Sequence, residues 1–407
     1  MATTKATTLA HTIASTTSST ADLNYAKTLN DTGVTSTEFD KLDGLTATTN
    51  ELNLVDGSVT GPLSHRNMII NGDMQVAQRY SSAVTSVATG YNSADRWRTF
   101  QSGTGTFTQS IESDGPPGFA KSLKMLCTNN DSSIGSADRL WVSQKFEGQN
   151  LQSLSYGTSS AKTATLSFWV KSNKTGTYIV FLYTPTGRFV SLSYTISSSA
   201  TWEYKTVTIP ADTSQAVTND NAERLDVRFF LGAGSNYTSG TLNTTWNSTA
   251  NSTTAVGQTN LASDNNNYWQ ITGVQLELGS VATPFEFKSY GEELQRCQRY
   301  YWRMPNNKYV FSIIDGNGTY VAAQFHHPVR MRATPAVGLL HKGAFYWNPS
   351  GSGQSNETPN GSTTGFSGGD EHGGLAYVSG SNNLGGLNND QILGQWFCRW
   401  EFRAELE

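Results

Sequence analysis

Apolar and polar side chains alternate with a period of two through much of this chain, and no other feature restricts the fold as strongly. In one such segment Leu166, Phe168 and Val170 share one parity, whereas Trp169 and polar residues occupy the other. This alternation indicates strands that bury one face. Many short strands with turns rich in Gly, Asn and Ser predict an antiparallel β-sandwich. The clearest segments are 165–170, 191–196, 206–209 and 225–229.

One strand interrupts this pattern. Within 269–278 the apolar residues occupy odd-numbered positions before Gly273 and even-numbered positions after it. A β-bulge inserts one residue and restores the facing of the side chains, so we predict a bulge at Gly273. The stretch 232–267 is poor in apolar residues and rich in Asn, Thr and Ser, and is predicted to form a long loop.

The last part of the chain predicts a second β unit. Residues 291–302 indicate a short helix that runs into a strand, with Leu294, Cys297 and Tyr301 on one face. The stretch 348–390 is rich in Gly, Ser and Asn and is predicted to be too polar for a core. Further strands are predicted at 309–313, at 321–325 and near the C-terminus, where every second residue from Trp396 to Phe402 is apolar.

The composition excludes several classes of function. Of 407 residues 15% are charged, and the net charge is −4. The composition therefore predicts no basic surface that could bind nucleic acid or an anionic membrane. The dense apolar run Tyr178–Tyr183 is far shorter than the ~20 residues that span a bilayer. Thr and Ser follow Met1–Lys5, so no signal peptide is expected. Three scattered cysteines predict neither disulfides nor a zinc site, and we expect no cofactor; they are Cys127, Cys297 and Cys398.

A short repeat lies near the N-terminus. The units 35–44 and 48–57 each begin with Thr-x-x-Glu, a capping box, and end in Asp-Gly, which stops a helix. Each unit therefore predicts a helix of about two turns, too short to be stable alone. The favoured interpretation is a segmented oligomeric stalk; a linker with incidental turns is the alternative. The residues predicted to oligomerise are Phe39, Leu42, Leu52 and Val55.

Several short motifs, in a fixed order along the chain, resemble a domain common in bacteriophage tail fibre proteins, and the repeat resembles those of fibre stalks. The resemblance implies a carbohydrate-binding-module-like jelly roll, a homotrimeric fibre and attachment to a bacterial surface. The motifs are Arg66–Arg79, Ser93–Trp97, Phe168–Lys171, Trp202 with Thr208–Pro210, Gly273–Gly279, Ala282–Glu286, Glu292–Tyr301, Pro328–Pro335 and Arg403–Leu406.

The predicted organisation has four parts. A low-complexity virion-attachment segment (1–34) precedes the stalk (35–65), a jelly-roll sandwich (66–290) and a C-terminal β tip (291–407). Its expected partners are two further copies of itself, other virion proteins through the N-terminus, and host surface polysaccharide. We expect synthesis in the bacterial cytoplasm and a final location on the virion.

Motifs for catalysis or metal binding are weak. Gly365–Gly369 matches the Gly-x-Ser-x-Gly motif of a nucleophile elbow. That elbow needs a strand before the serine and a helix after it, so a Gly-rich loop is the better interpretation. The pair His326 and His327 would point to opposite faces of a strand, so we predict no metal site. Glycosidases need two carboxylates held in a cleft, and no spacing singles out a pair. The acids available are Asp95, Glu112, Asp114, Asp138 and Glu147.

Sugar binding suits this composition best. Aromatic faces cover the apolar faces of sugar rings, whereas short amides, hydroxyls and acids bond to sugar hydroxyls. The loops 341–390 are the preferred recognition tip, because binding residues collect on loops of a rigid scaffold. The candidate contacts are Tyr237, Trp246, Tyr346, Trp347, Phe366, Asp370 and His372.

The sequence therefore predicts a phage fibre that adheres to host glycan without enzymatic activity. A structural fibre of the head or collar without glycan specificity is the first alternative. A glycan-depolymerising tail protein is the second.

Overall fold

A computed structural model of the chain describes residue 24 and the ranges 65–80, 83–248, 250–304, 308–314, 320–346, 363–367, 369–379 and 392–406. The chain divides into two compact units, Met1–Val59 and Thr60–Glu407. The predicted stalk and Phe39, Leu42, Leu52 and Val55 lie outside the described residues.

The second unit is built mainly of antiparallel strands. In chain order these are β1 (Gly90–Tyr91), β2 (Arg98–Ser102), β3 (Thr106–Glu112), β4 (Ser122–Asn129), β5 (Arg139–Glu147), β6 (Ala164–Ser172), β7 (Gly176–Tyr183), β8 (Phe189–Ile196), β9 (Glu203–Ile209), β10 (Glu223–Ala233), β11 (Tyr268–Leu278), β12 (Tyr301–Arg303), β13 (Lys308–Ile314), β14 (Tyr320–His326), β15 (Ala336–Tyr346), β16 (Thr363–Ser367), β17 (Gly373–Ser379) and β18 (Ile392–Arg403). The helices are α1 (Ser235–Thr238) and α2 (Tyr290–Gln298), with 3₁₀ turns at Gly148–Asn150, Gln152–Leu154, Asn251–Thr253 and Leu261–Ser263.

Two of the three sheets form a sandwich. The first sheet has the order β1-β2-β5-β10-β7-β8, and the second has the order β3-β4-β11-β6-β9. The chain crosses repeatedly from one sheet to the other, as in a jelly roll. The core lies between the sheets, where Phe168 of β6 packs edge-on against Phe229 of β10 at 5.1 Å between ring centroids. The mainly β, antiparallel sandwich predicted from the alternation is confirmed.

The predicted bulge is also confirmed. The pairing of β11 with β6 shifts register between Thr272 and Gln275, and Gly273 has a φ of +61°. The bulge lets both Ile271 and Val274 face the core. Opposite it, the carbonyl of Gly72 accepts from the Val274 N–H at 3.0 Å. A Cβ at Gly72 would lie 2.2 Å from the Val274 carbonyl oxygen, so only glycine permits this approach.

The long loop between β10 and β11 covers the outer face of the first sheet. An aromatic cluster on that face, centred on Trp141, Phe181 and Phe230, packs against Ala255, Tyr237 and Leu242 of this loop. The predicted loop 232–267 is thus confirmed, apart from its first two residues, which end β10. Its composition is polar, but it closes one face of the sandwich.

The third sheet belongs to the C-terminal part of the chain. Strands β12 and β13 pair in succession with one edge of β18, and β15 pairs with its other edge; β14, β17 and β16 follow β13 in that order. The predicted strands at 309–313, at 321–325 and near the C-terminus are confirmed. The prediction that 348–390 contributes no core is wrong for β17, where Ala376 and Val378 are fully buried. Glycines at the start of β17 conceal its alternation.

Helix α2 precedes the third sheet. The Ser289 side chain caps its N-terminus by accepting from the Glu292 N–H at 3.2 Å. Leu294 and Cys297 pack in one small cluster as predicted, but Tyr300 and not Tyr301 joins them. The reason is that α2 ends at Gln298, so the helical spacing no longer holds at Tyr301, which begins β12.

Two further observations concern the described residues. The three cysteines, Cys127, Cys297 and Cys398, are buried free thiols. No helix within the described ranges has the length and apolar character needed to cross a membrane.

Candidate functional site

The outer face of the second sheet carries a pair of aromatic rings, one exposed and one half-buried. Trp169 of β6 stands opposite Tyr204 of the edge strand β9, and their ring centroids are 5.3 Å apart. Both residues have the parity that points away from the core, because Phe168 and Val170 on β6 are buried. Tyr204 is 43% exposed. This pair, which we call the aromatic pair, lies on the side of the sandwich that the long loop leaves uncovered.

A polar network borders the aromatic pair. The Asp114 carboxylate accepts from the Lys171 ammonium, from the Trp202 indole N–H at 3.4 Å and from the Gln270 amide at 3.3 Å. The Lys171 ammonium also lies 4.9 Å from the centre of the Trp202 ring. The Gln270 amide donates in addition to the Ser122 hydroxyl at 3.1 Å. Hydrogen-bond donors and acceptors are thus held in place beside the two rings.

The electrostatics of this face are close to neutral. Asp114 and Lys171 form an ion pair, and Asp114 is about half exposed. The hydrogen bond from Lys171 lowers the pKa of the Asp114 carboxyl, and the bonds from Trp202 and Gln270 act in the same direction. Asp114 therefore stays ionised at neutral pH and acts as an acceptor rather than as a proton donor.

Further aromatic rings extend the face past the bulge. Phe119 lies over Gly273, next to Trp169, and its ring centroid is 5.1 Å from that of Phe285 and 5.2 Å from that of Phe287. Phe287 is 58% exposed. The absence of a side chain at Gly273 makes room for Phe119 and Trp169 on either side. An interrupted row of rings therefore crosses the sheet from β9 to β11.

Two of the predicted contacts lie in the sandwich and serve its packing. Trp246 is 8% exposed, and its indole N–H donates to the Pro210 carbonyl at 2.7 Å. Tyr237 is half-buried, and the Arg139 guanidinium lies 4.4 Å from the centre of its ring. Neither lies in the aromatic pair or its network.

The other predicted contacts belong to the C-terminal part. Asp370 and His372 are exposed in the turn before β17, where the Asp370 carboxylate accepts from the His372 and Gly373 N–H groups at 2.8 and 3.2 Å. Tyr346 ends β15 and Phe366 lies in β16, but their side chains, like all of Trp347, lie outside the described residues. A role for these five residues in glycan binding stays a prediction.

The remaining acids and histidines have structural surroundings. Asp95 and Glu147 are fully buried, and Asp138 accepts from the Gly135 N–H at 2.8 Å. His326 is exposed and His327 buried, as expected for neighbours with opposite facing. Within the described ranges no group of three or more possible metal ligands occurs. Ser367 ends strand β16, so the prediction of a Gly-rich loop is wrong for Gly365–Ser367, and no described helix follows the serine.

Sequence reasoning placed the binding aromatics in loops and missed the aromatic pair. The signal was present, because parity already assigned Trp169 to the face opposite Phe168 and Val170. Aromatic residues within strands are more often core, so the solvent parity of Trp169 needed more weight than its residue type.

Comparisons with known proteins add similarity only to parts of the chain. No family model and no curated protein matches it. The enzymatically active domain of tailspike protein 4 of bacteriophage CBA120 is 16% identical, with a TM-score of 0.27; the match covers 48% of this chain and 22% of that one. A family 11 carbohydrate-binding module of a Clostridium thermocellum cellulase is 11% identical, with a TM-score of 0.25, over 49% of this chain and 97% of the module. At these TM-scores the similarities carry no argument about function.

Proposed function

We propose that this protein is a bacteriophage fibre that adheres to host surface glycan through the aromatic pair on the second sheet. The observation that carries the proposal is the geometry of Trp169 and Tyr204 beside the Asp114 network. The ring faces have negative potential and attract the polarised C–H groups of a sugar ring. Asp114 and Lys171 supply an acceptor and donors for its hydroxyls, and the buried Gln270 holds the Asp114 carboxylate in place.

The ordered motifs support assignment to a phage fibre. They run from Arg66–Arg79 to Arg403–Leu406, and each resembles its counterpart in tail fibre proteins. Three copies of one chain would present three such faces. Linked weak sites gain strength through effective concentration, so a trimer would hold a surface that a single site releases quickly.

Adhesion without cleavage suits the chemistry of the site. A glycosidase needs a second carboxylate and a general acid with a raised pKa. The Asp114 carboxyl has a lowered pKa because Lys171 donates a hydrogen bond to it. The buried Glu147 is engaged by Arg299 at 2.7 Å, and the buried Asp95 by Gln78 at 2.6 Å.

The test measures binding of the intact chain to a panel of bacterial cells and purified surface polysaccharides. We expect saturable binding that Trp169→Ala and Tyr204→Ala each weaken by about thirtyfold, since an aromatic anchor that the ligand covers commonly contributes about 2 kcal/mol. Tyr290→Ala is the matched control, because Tyr290 is 59% exposed but lies at the start of α2. This control should bind like wild type.

Other outcomes identify the alternatives. Binding that both variants leave unchanged would place the glycan site elsewhere. Failure to bind any cell or polysaccharide would favour a structural fibre, and release of reducing ends would favour a depolymerase. Light scattering tests the trimer, since a particle near 44.2 kDa would be a monomer.

A further inference from the structure

A cavity of about 520 Å³ opens between the first sheet and the third sheet. Its volume lies within the range of about 300–1,000 Å³ that is typical of ligand sites. The segment before β1 and strands β1 and β2 form one wall, and β12, β15 and β18 form the other. The residues that line the cavity do not include Trp169, Tyr204 or Asp114. The charged side chains that line it are Arg79, Arg98, Arg303, Arg403, Glu401 and Glu405.

The lining is basic, although the whole chain carries a net charge of −4. Two of its charges neutralise one another, since Arg79 and Glu405 form an ion pair at 2.9 Å and are both more than nine-tenths buried. Three arginines then face the single carboxylate of Glu401. Of these three, Arg403 is half exposed and lies 3.8 Å from Glu401.

Several guanidinium groups in the cavity have unused hydrogen-bond donors. The side chain of Arg98 forms neither a hydrogen bond nor an ion pair with any residue in the described ranges, although its backbone pairs with β1 and β5. Arg303 donates through Nη1 to the carbonyls of Gln78 and Arg79, but its buried Nε has no hydrogen-bond partner there. The buried Nη1 of Arg79 likewise makes no hydrogen bond, with the Asp95 carboxylate 3.5 Å away. These two atoms are shielded from water, so they add positive charge beside the cavity, whereas Arg98 and Arg403 offer the donors that a ligand can contact.

Tyrosines complete the lining. Tyr301 donates its hydroxyl proton to Glu401 at 2.8 Å, and the Arg79 guanidinium lies 3.7 Å from the centre of its ring. Tyr80 is 52% exposed and offers a ring at the cavity. Planar arginine forks recognise carboxylates and phosphates with two parallel hydrogen bonds. An exposed ring next to them suits the sugar that carries such a group.

We propose that this cavity binds an anionic group, a carboxylate or a phosphate, carried on a saccharide or polyol of the host surface. Arg98 and Arg403 contact the anion, Arg303 contributes charge, and Tyr80 packs against the attached ring. The site is separate from the aromatic pair and does not depend on neutral-glycan binding there.

The test titrates the intact chain with glucuronate, glycerol phosphate and glucose by calorimetry and by NMR. We expect glucuronate or glycerol phosphate to bind saturably, more weakly at 500 mM than at 50 mM salt, because screening acts on partly exposed charges. The preferred probe identifies the anion as sugar carboxylate or phosphate. Glucose, which lacks the charge, should not bind at this site.

Variants locate the binding. Arg98→Gln and Arg403→Gln should each lower the affinity for the anionic probe by about fivefold or more, because each removes a charge-assisted contact. Arg330→Gln is the matched control, since Arg330 is 63% exposed and pairs with Glu371 outside the cavity; it should bind like wild type. Circular dichroism checks that each variant folds.

Two results would overturn the proposal. One is the absence of saturable binding of both anionic probes, or equal binding of glucose. The other is binding that Arg98→Gln and Arg403→Gln leave unchanged. Trp169→Ala should retain anion binding, so failure of the adhesive face and failure of this cavity are measured independently.

Discussion

His327 is a buried side chain whose protonation works against folding of the third sheet. Its ring centroid lies 4.8 Å from that of Phe402 and 5.7 Å from that of Trp302. Burial lowers the pKa of His327 to about 4; Asp370 opposes this shift and His326 and His372 add to it. Since the pKa is about 6.5 in the unfolded chain, the neutral ring favours the folded state above pH 6.5.

The lowered pKa of His327 predicts how acid affects the stability of the fold. The contribution of His327 is present above pH 6.5 and is lost as pH falls towards 4, where we expect it to cost about 1–3 kcal/mol. His327→Phe cannot ionise and should therefore lose less stability than wild type over this interval. Urea unfolding at pH 7, 5.5 and 4 measures the difference, with His65→Gln, at an exposed position, as the control. Parallel curves for wild type and His327→Phe would contradict the prediction.

Other buried groups titrate in the opposite direction. Burial raises the pKa of Asp95 to about 6, with Arg79 and Gln78 opposing the shift. Its contribution to stability is present below pH 4 and is lost as pH rises through 6. The acid profile of wild type thus sums opposing groups, and only the comparison with His327→Phe isolates the histidine.

At the scale of elements, the bulge in β11 links the core to the outer face. A Cβ at Gly273 would lie 2.7 Å from the Phe119 ring and 3.1 Å from Trp169, and the φ of +61° disfavours any side chain. Gly273→Ala should therefore lower the free energy of unfolding by about 1–3 kcal/mol. It should also displace Phe119 or Trp169 and weaken glycan binding.

The matched control is Gly291→Ala in helix α2. A Cβ at Gly291 would meet nothing within 4 Å, so alanine should stabilise the chain by about 0.4–1 kcal/mol through the unfolded state. Thermal and urea unfolding measure both variants. Equal stability of Gly273→Ala and wild type would mean that the bulge accommodates a side chain.

Elements with regular alternation were predictable from the sequence, because parity is a local property. The strands of the sandwich, the bulge at Gly273 and the loop before β11 followed from it. Strand β17 did not, because glycines precede its two core residues, Ala376 and Val378. The place of Tyr300 was likewise missed, since one residue of uncertainty in the end of α2 decides which tyrosine joins the cluster.

The sites were harder to predict than the strands. Parity placed Trp169 on the solvent face, but its neighbour Tyr204 and the acid Asp114 come from different parts of the chain. The cavity joins Arg98 and Arg403, which no local pattern relates. Such sites depend on which strands meet, and short-range periodicity does not specify that.

At the scale of the whole second unit, a buried ionic joint connects the sandwich to the end of the chain. Glu405 accepts from Arg79 at 2.9 Å and also pairs with Arg96, which is 1% exposed. The Arg96 guanidinium lies 3.5 Å from the centre of the Tyr300 ring. Glu147 forms a second connection, to Arg299 at 2.7 and 2.9 Å. Residues more than 300 positions apart thus share one desolvated cluster.

The buried ionic joint predicts that substituting Glu405 lowers the free energy of unfolding much more than substituting Glu371 does. Glu405→Gln keeps the shape of the side chain but leaves Arg79 and Arg96 with one negative charge fewer, and should cost about 3–5 kcal/mol. Glu371→Gln removes the partner of the exposed Arg330 and should cost less than about 1 kcal/mol. Urea unfolding followed by tryptophan fluorescence compares the two variants. Similar losses would mean that the buried arginines find other acceptors, and that packing rather than charge holds the C-terminal residues on the sandwich.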